Sequence, residues 1–288
     1  MNKTKILIIF GILTIILTSG CVNENPQENN KKIPERIIST APGNTEILFA
    51  LGLEDKVVGV TTYCNYPPEA LEKEKIGGFS TVDIEKIISL NPDLVLASSK
   101  TGDENIKKLE DKGITVLVVE PKNIDEILKA IELIGNATGK ENEAKTLTEN
   151  MLERINKVKE NSKNLKEKPE VMYAVWHDPL MSTGKNTFAN DLIEIAGGKN
   201  IYSDMEIQYP TVSLESVIDR NPDIIITSVG HGDAGNLTYN YVMNEPRLKD
   251  VNAVKNKRVY GIDADITSRP GPRIVDALEQ IAEWVKKE

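Results

Sequence analysis

The sequence predicts an α/β fold of two lobes, each built on a parallel sheet, joined by one long α-helix. Three observations carry this. Residues 81–99 (TVDIEKIISLNPDLVLASS) and 211–229 (TVSLESVIDRNPDIIITSV) write one helix–Asn-Pro-Asp–strand phrase twice. The apolar runs that follow each Asn-Pro-Asp, Leu94-Val-Leu-Ala and Ile224-Ile-Ile, suit strands buried on both faces of a parallel sheet. Between the two halves, residues 140–167 hold no Gly or Pro and set Ala144, Leu147, Met151, Ile155 and Val158 at steps of three and four, the spacing of a helix with one apolar face.

The chain of 288 residues is long enough for two domains with separate cores. Its 40% hydrophobic and 27% charged residues are a globular composition. The net charge of −9 is spread among interspersed acids and bases, with no basic face, so no nucleic-acid partner is expected.

The elements follow in order. Lys3 and Lys5 precede an apolar run, Ile6 to Leu17, too short for a comfortable membrane span, and Leu17-Thr-Ser-Gly-Cys21 closes it. Residues 1–21 therefore read as a lipoprotein signal peptide with Cys21 as the lipidated residue; an ordinary export signal or an uncleaved anchor is the alternative. Either way the rest is exported, and with a lipid on Cys21 it sits on the outer face of the cell membrane. Residues 22–34, polar and rich in Asn, form a flexible tether. With Cys21 lipidated, Cys64 stands alone and no intramolecular disulfide forms.

The N-terminal lobe spans 35–139. Gly43-Asn-Thr opens a helix that stops at Gly52, and Val57–Val60 is a strand. Asp83 caps the first repeat helix, with Ile84, Ile87 and Ile88 on its apolar face and Pro92 ending it. Thr115–Val119 is a further strand. The linking helix, 140–167, is roughly 40 Å long at 1.5 Å per residue and limits opening and closing. The C-terminal lobe, 168–288, repeats the plan: strand Val171–Val175, helix FANDLIEIAGG after Gly184-Lys-Asn-Thr, and a short strand near Ile201. The second repeat helix follows, capped by Ser213, then strand Arg258–Ile262 and a last helix from Pro272 to Lys287.

Catalytic machinery is sparse. There are two histidines, His177 and His231, and no GxSxG, HExxH or CxxC. Neither a catalytic set nor a metal site is expected, and no cofactor. A remote alternative is an exported metal-dependent enzyme using His177, His231 and Asp233. Gly230-His-Gly-Asp-Ala-Gly235 fits the dinucleotide fingerprint after a strand, but NLTYNYVMNEP beyond it presents no clear helix with an apolar face, so it reads as a Gly-rich loop. Asn136 and Asn236 stand in N-x-T sequons.

Few aromatics are present, yet they gather in turn-like segments: Tyr63 beyond the second strand, Phe79 before the first repeat helix, Trp176 beyond Val171–Val175, and Tyr209 before the second repeat helix. In parallel α/β sheets ligands sit beyond the carboxyl ends of the strands. Rings from two lobes there would grip a large flat ligand by stacking; taken singly, each reads equally well as a loop anchor. Arg269, before the last helix, reads either as a cleft cation for an anionic group or as a structural pair. Cys64 reads as a small buried hydrophobe. Glu85 and Glu215 occupy matching first-turn positions of the repeat helices, off the apolar stripe. The helix dipole favours an acid there, and two such acids, one per lobe, also make a docking pair for a partner with two basic pockets.

These residues, with the stretches APGNTEILFALG, TTYCNYPP, STGKNTFANDLIEIAGG and SRPGPRIVDALEQIAEW, resemble the helix-linked substrate-binding proteins of ABC importers that carry vitamin B12, iron–siderophores and haem, over nearly all of residues 35–286. The Tyr-x-x-Tyr-Pro-Pro and Gly-Asn-Thr-Glu segments are most similar to the B12 binders. The resemblance implies two Rossmann-like lobes with a ligand cleft between them. It implies a transported corrinoid, cobalamin, held by Tyr63, Phe79, Trp176, Tyr209 and Arg269, the alternatives being an iron–siderophore or haem. It also implies Glu85 and Glu215 docked on arginines of a permease dimer served by an ATPase, with the binding protein itself a monomer.

Overall fold

The fold, seen in a computed structural model that describes residues 32–230 and 235–287, alternates strands and helices through two halves. The first half runs β1 (Ile37–Ser39), α1 (Pro42–Ala50), β2 (Val57–Val60), α2 (Ile84–Ser89), β3 (Leu94–Ala97), α3 (Asp103–Glu110), β4 (Thr115–Val118) and α4 (Ile124–Thr138). α5 (Glu141–Ser162) leads to the second half: β5 (Glu170–His177), β6 (Leu180–Ser182), α6 (Phe188–Ile195), β7 (Lys199–Asn200), α7 (Leu214–Arg220) and β8 (Ile224–Val229). This half ends with α8 (Leu237–Asn244), α9 (Asn252–Lys255), β9 (Val259–Asp263), α10 (Ala264–Ser268) and α11 (Ile274–Lys286).

The two sheets share one plan. The first has the order β2-β1-β3-β4, all parallel. In the second, β7, β8 and β9 take the places of β2, β3 and β4 around β5, again in parallel. β6 is an addition: the tight turn at Asp178-Pro179 sends the chain straight back, so it pairs antiparallel with β5.

The doubled phrase works identically in both lobes. Asp83 and Ser213 accept from the backbone N–H of Lys86 and Ser216, capping α2 and α7. Asn91 and Asn221 then take left-handed φ values of 45° and 42°, which Asn tolerates, and the helices stop. Asp93 Oδ2 accepts from the N–H groups of Glu35 and Arg36 (2.8 and 3.0 Å), and Asp223 Oδ2 from that of Glu170 (3.0 Å). Each Asp thereby fastens its strand to the entry of the neighbouring β1 or β5.

The linking helix is shorter than 140–167. α5 has 22 residues, about 33 Å, because Asn161, Ser162 and Asn164 are weak helix formers and the chain turns there. Its buried face is Ala144, Thr148, Met151, Ile155 and Val158, with Leu147 partly buried. This face belongs to one continuous core that also holds Ile37 and Leu94 of the first lobe and Ile224 and Leu278 of the second. Arg154 adds a polar tie, with Asp276 and Glu279 of α11 both at 2.6 Å.

Two more expectations are corrected. A helix, α8, does follow the Gly-rich loop: Thr238 and Val242, four apart, form a narrow buried stripe that is easily overlooked beside polar Asn240 and Asn244. The last helix begins at Ile274, two residues beyond Pro272. Residues 1–31, with Cys21, and His231 and Asp233 lie outside the described residues. Among the described residues, no helix is long and apolar enough to cross a membrane, and no group of three or more His, Cys, Asp or Glu is placed to hold a metal.

Candidate functional site

The carboxyl edges of the two sheets face each other, because the chain beyond β9 meets the start of α1, just beyond β1. A Cβ added to Gly43 would fall 2.7 Å from the Pro270 carbonyl oxygen, and one on Gly271 would fall 3.2 Å from Glu46 Oε2. Glycine at both places lets the lobes touch almost backbone to backbone. Glu46, 3% exposed, lies in this contact. Arg273 of the opposite lobe grips it at both oxygens (Nε–Oε2 3.0 Å, Nη2–Oε1 2.6 Å), and the Arg269 guanidinium stands 3.7 Å from Oε1. Burial pushes the Glu46 carboxyl above its ordinary range, and the two arginines pull against that rise. Arg273 also lies over the Tyr66 ring, 3.8 Å from its centroid. A cavity of about 440 Å³ opens beside the contact, lined in part by Phe49, Glu54, Tyr66, Glu69 and Pro272.

The aromatics expected at the ligand site stand on these carboxyl edges. In the first lobe Tyr63 is 61% exposed and its ring lies against Gly78, the residue that precedes the half-buried Phe79 in the chain. The turn carrying Phe79 is held by the bridge Gly77–Val82. In the second lobe Trp176 lies one residue before the end of β5, half-buried, its indole N–H donating to the Asp178 carbonyl (2.8 Å). Tyr209 is 48% exposed on a segment pinned by Ser182 N–H to Pro210 O and Gly184 N–H to Gln208 O. Beneath it Tyr173 is fully enclosed, and burial raises its phenol to about 12 while its hydroxyl meets Thr267.

Arg269 is placed differently from a free cleft cation. It is 12% exposed and committed to Asp265 (2.6 Å), with Nη1 donating to Asn65 Oδ1 of the other lobe (2.6 Å). Its charge is satisfied within the protein. Glu85 and Glu215 are both exposed in the first turns of α2 and α7, as their matching positions require. The Glu215 carboxyl is held below its ordinary range by hydrogen bonds from its own N–H and from Ser213. Cys64 is a buried free thiol, in contact with the hydroxyls of Thr45 and Thr61.

Several residues of this region escape sequence reasoning. Glu46 and Arg273 sit within quoted stretches, yet nothing in either stretch reports their pairing. His177 continues the ring series, 4.8 Å from Trp176 and 6.0 Å from Tyr241 of α8, and its Nδ1 is buried without a partner among the described residues. Ile207, 67% exposed, and Leu237, 48% exposed, add apolar surface beside Tyr209 and after the Gly-rich loop.

Comparison with known proteins gives a consistent family. A family profile described as periplasmic binding protein matches residues 37–266. The chain is 40% identical over 262 residues to an uncharacterized ABC transporter substrate-binding lipoprotein, YvrC, of Bacillus subtilis, covering 88% of this chain and 81% of that one. It is 33% identical over 254 residues to the vitamin B12-binding protein of Vibrio cholerae, covering 88% and 89%. Among solved structures, a possible iron-binding (periplasmic solute-binding) protein of Staphylococcus epidermidis superposes with a TM-score of 0.77 at 34% identity, covering 89% of this chain and all of that one. The periplasmic vitamin B12-binding protein BtuF of Vibrio cholerae superposes with 0.76 at 31%, covering 88% and 97%.

Proposed function

Because the chain belongs to the periplasmic binding protein family, in its helix-linked two-lobe form, we propose that it captures a corrinoid, cobalamin foremost, outside the membrane and delivers it to the permease dimer of an ABC importer. The observation that carries this reading is the aromatic surface on both carboxyl edges: exposed Tyr63 and half-buried Phe79 in one lobe, exposed Tyr209 and half-buried Trp176 in the other. The rings of Tyr63 and Tyr209, one on each edge and left largely in water, contribute little to the folded core and are suited to stacking on a broad flat molecule. The relatives named as vitamin B12-binding support the same ligand. In this reading the protein has no chemistry of its own; ATP hydrolysis belongs to a separate subunit. Cys21 carries the lipid that holds it at the outer face of the membrane, a reading supported by the lipoprotein relative.

Calorimetric titration with cyanocobalamin tests the ligand, and no heat at micromolar concentrations sinks it. A ferric siderophore or haem is the second reading, favoured by the iron-binding description of the Staphylococcus epidermidis structure; titration with each decides between them. Glu85 and Glu215 dock on the two permease subunits. Glu85→Ala with Glu215→Ala abolishes uptake and leaves cyanocobalamin affinity intact; an equal fall in affinity removes them as docking points.

A further inference from the structure

We propose that Glu46 is a positioning residue: the buried ion cluster it forms with Arg273 and Arg269 fixes how far the lobes gape and so sets the spacing between the two aromatic edges. The inference concerns the geometry of the site and stands whichever ligand occupies it.

The linking helix ties the lobes on one side through the shared core. The Glu46 cluster is a second tie at the site itself, and it is polar, specific and enclosed. Glu46 belongs to the first lobe; Arg269, Arg273 and Asp265 belong to the second. Asn65 of the first lobe extends the cluster outward, accepting from Arg269 (2.6 Å) and donating to Asp265 (3.4 Å). A carboxylate whose side chain is 2% exposed cannot exchange its arginine for water, so separating the lobes here exposes one charge to solvent or strands another. Gly43 and Gly271 bring the backbones close enough for the short bonds to form. Tyr66 and Tyr63 flank Asn65 in sequence, so the cluster anchors the very segment that carries the exposed ring.

The pseudo-equivalent corner is built differently. Glu46 stands as far before the end of α1 at Leu51 as Asp191 stands before the end of α6 at Ala196. Among the described residues no arginine of the other lobe pairs with Asp191; the charges that act on it are Glu194 of its own helix and Asp125 from the first turn of α4. Of the two corners, one is clamped by opposite charges and the other is not. The Glu46 corner is therefore the one at which the lobes are held at a set separation.

The test measures interlobe distance without ligand, so its outcome is separate from that of the corrinoid reading. Spin labels are placed on exposed positions of the two lobes, through Lys100→Cys and Lys185→Cys in a chain carrying Cys21→Ser, and read by double electron–electron resonance. The parent gives one narrow distance distribution. Glu46→Gln loses it, giving a broad or two-peaked distribution. The triple variant Glu46→Gln, Arg269→Gln, Arg273→Gln, which removes the buried carboxylate together with both arginines, loses it too. Asn65→Ala, an exposed change that leaves the core intact, gives a smaller broadening. A broad distribution in the parent overturns the proposal, as does a parent-like distribution in folded Glu46→Gln. Should that variant fail to fold, a parent-like distribution in Asn65→Ala overturns it.

Discussion

Replacing Asp191 by Asn should stabilise the protein at neutral pH and leave it unchanged in acid. Burial foremost, helped by the charges of Glu194 and Asp125 and opposed by a hydrogen bond from Asn190, raises the Asp191 carboxyl from 3.8 to about 6. A carboxyl whose folded pKa is raised contributes stability that is fully present below 3.8 and is lost as pH rises through about 6. Above pH 6 the folded state therefore carries an ionised group it disfavours. The full difference corresponds to about 3 kcal/mol, at about 1.4 kcal/mol for each factor of ten in proton affinity. Asp191 keeps partial contact with water, and screening brings the expected gain to roughly 1 kcal/mol. For a chain of this size that is a rise in Tm of about 2–4 °C. Urea and thermal unfolding of parent and Asp191→Asn, at pH 7.5 and pH 4, read it directly. The gain appears at pH 7.5 and nearly vanishes at pH 4, where the parent carboxyl is protonated in the folded state. An equal gain at both pH values, or a loss at pH 7.5, refutes the electrostatic argument.

Three further outcomes are expected. Ile155→Ala, at a position 2% exposed in the core shared by both lobes, costs about 2–5 kcal/mol in urea unfolding and weakens the linking helix in both directions. Ser213→Ala removes the cap on Ser216 N–H and costs about 1 kcal/mol, with Glu215 left in place and its carboxyl titrating closer to the ordinary range by NMR. Tyr63→Ala and Tyr209→Ala, both on exposed rings, leave stability within about 0.5 kcal/mol. Each weakens cyanocobalamin binding by about 0.5–1.5 kcal/mol, twofold to about tenfold, in calorimetry.

The plan of two lobes was legible because it is local and repeated. Capping residues, Asn-Pro-Asp stops and apolar runs act within a few positions of one another, and the structure uses them in both copies as the spacing requires. The linking helix was legible for the same reason, except at its end, where Asn161, Ser162 and Asn164 interrupt a stripe that apolar spacing alone would extend. α8 was missed because its apolar face is two residues wide, and the β5–β6 hairpin because a short return strand leaves no period to read.

What holds the site together is of another kind. Glu46 and Arg273 are 227 residues apart in sequence, and no periodicity connects them. Read locally, Glu46 is an acid that opens the apolar run Ile47-Leu-Phe-Ala-Leu51 and Arg269 a cation in a proline-rich loop, free to meet a ligand. Only the fold shows that these charges answer each other across the lobes, which commits Arg269 to partners within the protein and leaves the aromatic edges as the surface proposed to meet a ligand. The same asymmetry separates the two corners. Duplication copied the helix that carries Glu46 and Asp191, but the loop that meets it carries arginine on one side and none on the other. A chain built by writing one lobe twice thus acquires a charged tie on one side alone, through residues that are not repeated.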